Sequence, residues 1–439
     1  MSNKTNEMAA TLKYVDPSRD KWPALTERPK SDDTEIEASV RSTLEYVRKC
    51  GDAALLDLES RYDKAIFDSA SDLKVSGKEI EEAESLVLDE LKAAIARAYA
   101  NIRRFHEAQM PGVVKVETSP GVLCVQKSAP VHRVGLYVPG GRAPLFSTVL
   151  MLAVPAKVAG CPEIVLCTPP DKEGKADPVI VYAASVCGVS NIFKIGGAQA
   201  VAALAYGTET VRKCDKIFGP GNRYVMKAKQ LVGLTEAAID MPAGPSEVMV
   251  LADETADPEF VAADFLSQSE HGPDSQSVLV CTSETVADAV AAAVARQVTR
   301  LERGRIVAEA LTHSRFIVFT ERGDIVDFAN EYAPEHLIIS MRDSWKIADR
   351  IVAAGSIFIG NYSPESAGDY ASGTNHTLPT GGWARSFSGL NLDAFMRKFT
   401  IQEISREGLE ELGGTIRTMA LAEGLDAHAA AVEVRLKND

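Results

Sequence analysis

The sequence has no apolar run long enough to cross a bilayer, and its first residues, Met1 to Tyr14, are polar and lack the apolar core of a secretory signal. A cytoplasmic location is therefore expected. Basic residues are in deficit: 47 Lys and Arg against 61 Asp and Glu give a net charge of −14. That balance argues against a nucleic-acid partner, because such proteins concentrate Lys and Arg on one face, and favours a small-molecule substrate. Cysteines are few and unpaired in spacing. The seven (Cys50, Cys124, Cys161, Cys167, Cys187, Cys214 and Cys281) are an odd number without a Cys-x-x-Cys pair, which fits reduced structural thiols. A cysteine nucleophile stays open in principle, but Cys161 and Cys167 flank an apolar strand-like run where burial accounts for both. Low-complexity segments and a Gly-x-Gly-x-x-Gly fingerprint are also missing.

What is present is an ordinary globular composition, 46% hydrophobic and 25% charged, over 439 residues, enough for two sizeable cores. Ile36, Val40, Leu44 and Val47 form a helical stripe that Gly51-Asp52 breaks. Ser76-Gly77-Lys78-Glu79 is a capping box opening a helical run towards His106, which reads as solvated or supporting. Residues 113–116 and 122–126 face each other across Ser119-Pro120-Gly121 as a hairpin. From Val134 the texture becomes short apolar strands alternating with helices. Strands are expected at 134–138, 164–167, 192–195 and 216–218, then at 248–251, 277–281, 316–319, 337–340 and 356–359. This rhythm predicts an α/β fold of parallel β-α units with functional loops at the carboxyl ends of the strands. Past Asp393 the chain reads as helical.

Glycine and proline gather at the strand ends: Tyr137-Val138-Pro139-Gly140-Gly141, Ile195-Gly196-Gly197-Ala198-Gln199, Phe218-Gly219-Pro220-Gly221-Asn222 and Met241-Pro242-Ala243-Gly244-Pro245-Ser246. Such turns let backbone N–H groups approach a phosphate-bearing ligand. Gly219-Pro220-Gly221 lacks the third glycine, with Tyr224 in its place, so plain tight α/β turns explain them equally well.

The stretch Ser267-Gln268-Ser269-Glu270-His271-Gly272-Pro273-Asp274 closes a helix-patterned run, with Gly272 expected as a left-handed cap. Gln268 and His271 then share one face of the last turn. They form either a ligand pair or a decorated helix end, since a helix C-terminus favours His electrostatically. Further on, Glu335-His336 puts a carboxylate and an imidazole at the lip of a strand, Asp369 lies in a glycine-punctuated loop continued by Ser372 to His376, and Glu423 and His428 flank the turn opening the last helix.

Taken together, Gly135 to Gly141, Gly196 to Ala200, Phe218 to Asn222, Ala243 to Val248, Gln268 to Asp274, Ala333 to Leu337 and Gly373 to His376 resemble the histidinol dehydrogenase family, in order and along essentially the whole chain. The resemblance implies an NAD-dependent, zinc-requiring oxidation of L-histidinol to L-histidine through L-histidinal, the last step of histidine biosynthesis. It implies zinc ligands Gln268, His271, Asp369 and His428, a nitrogen and oxygen set that suits Zn²⁺ and discriminates weakly against Mn²⁺ or Co²⁺. His336 would be the base and Glu335 the group that polarises water. Ser246 and Glu423 match substrate contacts, and Tyr137, Gln199 and Asn222 match NAD contacts. His376 and His132 are left as supporting or structural, and His313 as surface.

The implied architecture is two incomplete Rossmann-like α/β lobes, with N-terminal helices and a small C-terminal helical lobe. The division expected is an extension over 1–30, a substrate and metal domain of 31–133 with 246–390, an NAD domain of 134–245, and a C-terminal lobe of 391–439. The family's intertwined homodimer would place His428 and Glu423 across the subunit boundary. The alternative is a paralogous zinc and NAD dehydrogenase of another small polyol, such as a sulfonated propanediol. Replacement of the groups holding imidazole and amine would mark it, and here Glu423 and His428 both match histidinol dehydrogenase.

Overall fold

A computed structural model describes residues 13–29, 34–140, 144–242 and 244–437. Gly141 and Ala243 of the glycine-rich turns, and residues 1–12 and 30 of the 1–30 extension, lie outside the described residues. Among the described residues the strands in chain order are β1 (Lys13–Val15), β2 (Val114–Ser119), β3 (Val122–Pro130), β4 (Arg133–Tyr137), β5 (Glu163–Thr168), β6 (Asn191–Lys194), β7 (Lys216–Phe218), β8 (Ala238–Ile239), β9 (Glu247–Ala252), β10 (Gln276–Cys281), β11 (Arg315–Val318), β12 (His336–Ser340), β13 (Ser356–Ile359) and β14 (Met396–Ile404). The nine expected strands from 134 to 359 all form, with ends shifted by at most one residue. They are runs of Val, Ile and Leu buried on both faces, as parallel strands covered by helices must be.

Two parallel sheets result, of order β6-β5-β4-β7-β8 and β1-β11-β10-β9-β12-β13. In the first the strand order reverses between β4 and β7, and in the second between β9 and β12, the switch points where α/β sheets open a crevice. The first sheet ends at Ile239 and the second begins at Glu247, so residues 240–246 carry the chain directly from carboxyl ends to amino ends. Those two edges therefore meet. Asn375 Nδ2 donates to Met151 O at 2.6 Å, and His376 Nε2 lies 3.3 Å from Thr148 Oγ1, tying the loop after β13 to the helix Phe146–Ala159 that follows β4. In the second sheet the site consequently sits at the amino ends of β9 and β12. This corrects the carboxyl-end expectation there.

The N-terminal helices also pack differently from the division expected. Gly51, at φ +51°, breaks Thr34–Tyr62 into two helices as expected, and Val40 and Leu44 of the first with Leu55 and Leu58 of the second share a core with Val165, Ile195 and Val201. Ile95 and Ile102 of the helix Asp89–Glu107 pack with Leu136 and Leu150. Residues 34–107 thus cover the first sheet, and the 246–359 sheet takes instead β1 and the segment of Trp22, which packs on Phe319 and Phe328. The reason is burial: the apolar stripe of 36–58 packs on the alanine-rich helix Gly197–Tyr206, in one core with Val225 and Val232 of helix Arg223–Val232.

The capping box at Ser76 and Glu79 forms, but the helix it opens ends at Leu86 and a second runs over Asp89–Glu107. His106 is fully buried, its Nδ1 2.8 Å from Ile102 O, and burial lowers its pKa, so it is not solvated. The β2–β3 hairpin forms as expected and β14 joins it antiparallel, so the C-terminal lobe combines this small sheet with the helices Arg406–Ala422 and Asp426–Leu436. No helix among the described residues is long and apolar enough to cross a membrane.

Candidate active site

On the first sheet the three turns of interest surround the β4/β7 switch point. Tyr137 ends β4, is buried, and its hydroxyl accepts from Gly197 N at 3.2 Å. Gln199, in the first turn of helix Gly197–Tyr206, is buried and donates from Nε2 to Glu59 Oε1 at 2.9 Å. Glu59 Oε1 also accepts from Gly196 N at 3.1 Å. Burial, and then Asp63, pushes the Glu59 carboxyl up to about 8. Asn222 is the N-cap of helix Arg223–Val232, accepting from Tyr224 N and Val225 N, each at 3.1 Å. The turn before it requires glycine: Gly219 has φ +123°, and a Cβ there would lie 2.0 Å from Tyr137 O. A buried Lys229–Asp240 pair holds this turn, Lys229 Nζ donating to Gly219 O and Asp240 Oδ2 accepting from Gly219 N.

Across the crevice the second sheet supplies charge. His336, the first residue of β12, is buried, with Nδ1 3.7 Å from Glu335 Oε2 and Nε2 3.5 Å from Asp369 Oδ1. These are ion-pair separations without a hydrogen bond, and Nε2 is left without a partner. Burial alone would lower the imidazole pKa, but the Glu335 carboxylate, with Asp369 and Glu365, outweighs it and holds His336 well above its usual value. Burial likewise opposes ionisation of Asp369, yet His336 beside it, with His376 and His271, keeps that carboxyl below its usual range. Glu335, directly before the strand, uses the same Oε2 to accept from Glu247 N at 2.9 Å.

Gln268 begins a short 3-10 turn after helix Pro258–Ser267, and His271 follows that turn. Gly272 does not take up a left-handed conformation, because the helix ends through the 3-10 turn instead. Gln268 is buried, donates from Nε2 to Glu365 Oε1 at 2.6 Å, and its Oε1 has no partner. His271 is exposed and near enough to Asp369 to depress its pKa. Ser246, directly before β9, is half-buried.

The structure thus gathers Gln268, His271, Glu335, His336 and Asp369. It does not bring in Glu423 or His428, which are exposed at the turn between the two C-terminal helices. Among the described residues no three His, Cys, Asp or Glu side chains converge to hold a metal ion. A set containing a glutamine and a residue of another subunit would leave only His271 and Asp369 of that class in one chain. Gln268 Oε1, buried without a hydrogen bond, and the Asp369 carboxylate, with His271 near it, are oxygen and nitrogen donors of the kind zinc takes, so the residues present fit a zinc ion.

One buried residue escaped the sequence reading. Glu365, buried on the helix Glu365–Tyr370, lies four positions before Asp369, and that helical spacing was the available signal. Burial pushes its carboxyl up to about 7 against the pull of His336. His376, expected as supporting or structural, has its Nδ1 3.0 Å from Asp369 O and braces the short helix carrying Asp369, which was expected as a loop, against the first lobe.

The model of the histidinol dehydrogenase family matches residues 26–436. The chain is 53% identical over 429 residues to a histidinol dehydrogenase of Bacteroides thetaiotaomicron, covering 98% of this chain and 99% of that one. It is 51% identical over 430 residues to one of Vibrio parahaemolyticus, covering 97% and 98%. The crystal structure of histidinol dehydrogenase from Elizabethkingia anophelis superposes with a TM-score of 0.95 at 48% identity, covering 97% of this chain and 98% of that one. The two α/β sheets and the crevice between them are those of a known oxidoreductase, and the chain belongs to the histidinol dehydrogenase family.

Proposed function

We propose that the chain oxidises L-histidinol to L-histidine in two steps, with two NAD⁺ as hydride acceptors and a zinc ion held by Gln268, His271, Asp369 and His428. The observation that supports this most is a pair of buried polar atoms without a hydrogen bond, Gln268 Oε1 and His336 Nε2, the latter 3.5 Å from Asp369 Oδ1. One is a ligand oxygen and the other an imidazole nitrogen, each buried at a cost unless a partner arrives. Zinc supplies orientation of the substrate through its imidazole and amine donors.

In this reading His336 Nε2 takes the hydroxyl proton as the alcohol loses hydride to the first NAD⁺, giving the aldehyde. The Glu335 and Asp369 carboxylates beside His336 would stabilise the imidazolium that this proton transfer produces. Glu335 polarises the water that adds to the aldehyde, and the hydrate loses a second hydride and proton to give the acid. Tyr137, Gln199 and Asn222, around the β4/β7 crevice, would contact NAD; Ser246 and Glu423 would contact substrate. Because His428 and Glu423 are exposed, we assign them to the site of a second subunit in a homodimer. Exposed Met419, Leu421 and Leu425 beside them suit an interface.

The test is stoichiometry. With zinc and excess NAD⁺, each L-histidinol should yield two NADH and one histidine. A single NADH with an aldehyde product would overturn the four-electron reading, and turnover of a sulfonated propanediol instead would favour the paralogue.

A further inference from the structure

We infer that Glu365 is a positioning residue of the metal site: it holds the Gln268 side-chain amide by its nitrogen and so commits the carbonyl oxygen to the cation. A glutamine side chain carries a donor end and an acceptor end of nearly equal shape, and only the oxygen can ligate a metal. Something must choose between them. Here the choice lies with Glu365 Oε1, which accepts from Gln268 Nε2 at 2.6 Å and lies 2.8 Å from Ser267 Oγ. Glu365 Oε1 is thereby occupied as an acceptor, and the Gln268 amide is left with its oxygen buried and unpartnered.

Both residues are nearly inaccessible, 1% exposed for Gln268 and 2% for Glu365. A carboxyl group so deeply placed is costly unless it has a specific task. It shares one helical turn with Asp369, so a single short helix delivers one ligand and sets the orientation of another. Glu365 acts here through Gln268 and not on substrate. The inference rests on the reading of Gln268 as a zinc ligand.

The experiment measures zinc per chain and zinc affinity by chelator competition on the full-length dimer, with folding followed by melting of the metal-free proteins. Glu365→Ala should weaken zinc by about 10–100-fold, the usual effect of losing a group that orients a ligand. Glu365→Gln, whose side-chain oxygen can still accept from the Gln268 amide, should bind zinc close to wild type. In a Gln268→Ala background, Glu365→Ala should cost nothing further. Equal loss in both backgrounds would mean that Glu365 acts on the metal independently, and loss in Glu365→Gln as deep as in Glu365→Ala would mean that its charge, not its acceptor geometry, matters. Either result overturns the proposal. Wild-type zinc affinity in Gln268→Ala alone would remove the ligand assignment first, a failure read without reference to Glu365. Should Glu365→Ala not fold, Glu365→Met, of similar size and lacking the acceptor, carries the same comparison.

Discussion

Glu247 and Glu335, on neighbouring strand starts, exchange hydrogen bonds: Glu247 N donates to Glu335 Oε2 at 2.9 Å and Glu335 N to Glu247 Oε1 at 3.3 Å. Two carboxylates so placed need a cation, and Arg28 provides it. Its Nε donates to Glu247 Oε2 at 2.9 Å and its Nη2 to Oε1 at 3.0 Å, with the guanidinium 3.5 Å over the Tyr332 ring. A residue from the start of the chain thus steadies the candidate water-polarising carboxylate from beneath.

Arg28→Met should destabilise the protein by about 3–5 kcal/mol, because it leaves Glu247 buried and uncompensated. The double variant Arg28→Met/Glu247→Gln should recover most of that loss. Urea unfolding of both decides it, and a single variant as stable as the parent would show that the pair carries no weight.

His271→Ala should abolish stoichiometric zinc and activity while leaving the melting temperature of the metal-free protein unchanged, since His271 is exposed and packs little. Metal analysis alongside calorimetry checks this; full zinc with full activity would end its assignment as a ligand.

His336→Asn should slow single-turnover NADH formation by about 10²–10⁴-fold, the usual worth of a positioned base, with much less effect on bound zinc. Loss of zinc equal to the loss of rate would instead make His336 part of the metal site.

Mixing inactive His271→Ala and His428→Ala subunits should restore partial activity in heterodimers, since one of the two shared sites regains a complete ligand set. Activity that stays at zero after verified subunit exchange argues that no ligand crosses the interface.

Glu59 sets a pH dependence of stability. Its pKa is raised on folding from the ordinary 4.5 to about 8, chiefly by burial. Between those values the native state holds a proton that the unfolded chain has lost, so this contribution is full below pH 4.5 and disappears as pH rises through 8. Glu59→Gln, which keeps an acceptor for Gly196 N and Gln199 Nε2, should melt higher than the parent at pH 8.5 and lose this part of the alkaline decline. Parallel melting curves for the two proteins from pH 5 to 8.5 would contradict the assignment.

Much was readable before any coordinates. Nine strands and the hairpin follow from runs of Val, Ile and Leu between turn residues, and the Ser76 capping box from four residues, because each depends on contacts within a few positions. Motif order likewise carried the family, together with the positions of Glu335, His336, Gln268, His271 and Asp369. The pairing of β14 with β3 was not readable, since a nine-residue strand exposed along most of its length lacks a clean alternation of apolar and polar residues.

What the sequence determined by itself, then, is chemistry and local form: which side chains can ligate, donate or accept, and which stretches are strand or helix. Tertiary structure decided the rest. That the helices of 34–107 cover the first sheet, that the second sheet offers the amino ends of its strands, and that Glu365 grips the Gln268 amide all depend on where residues 240–246 lead the chain. The physical reason is that such contacts join residues about a hundred positions apart, as with Gln268 and Glu365. They are selected by which apolar faces bury one another, and no local pattern encodes that choice.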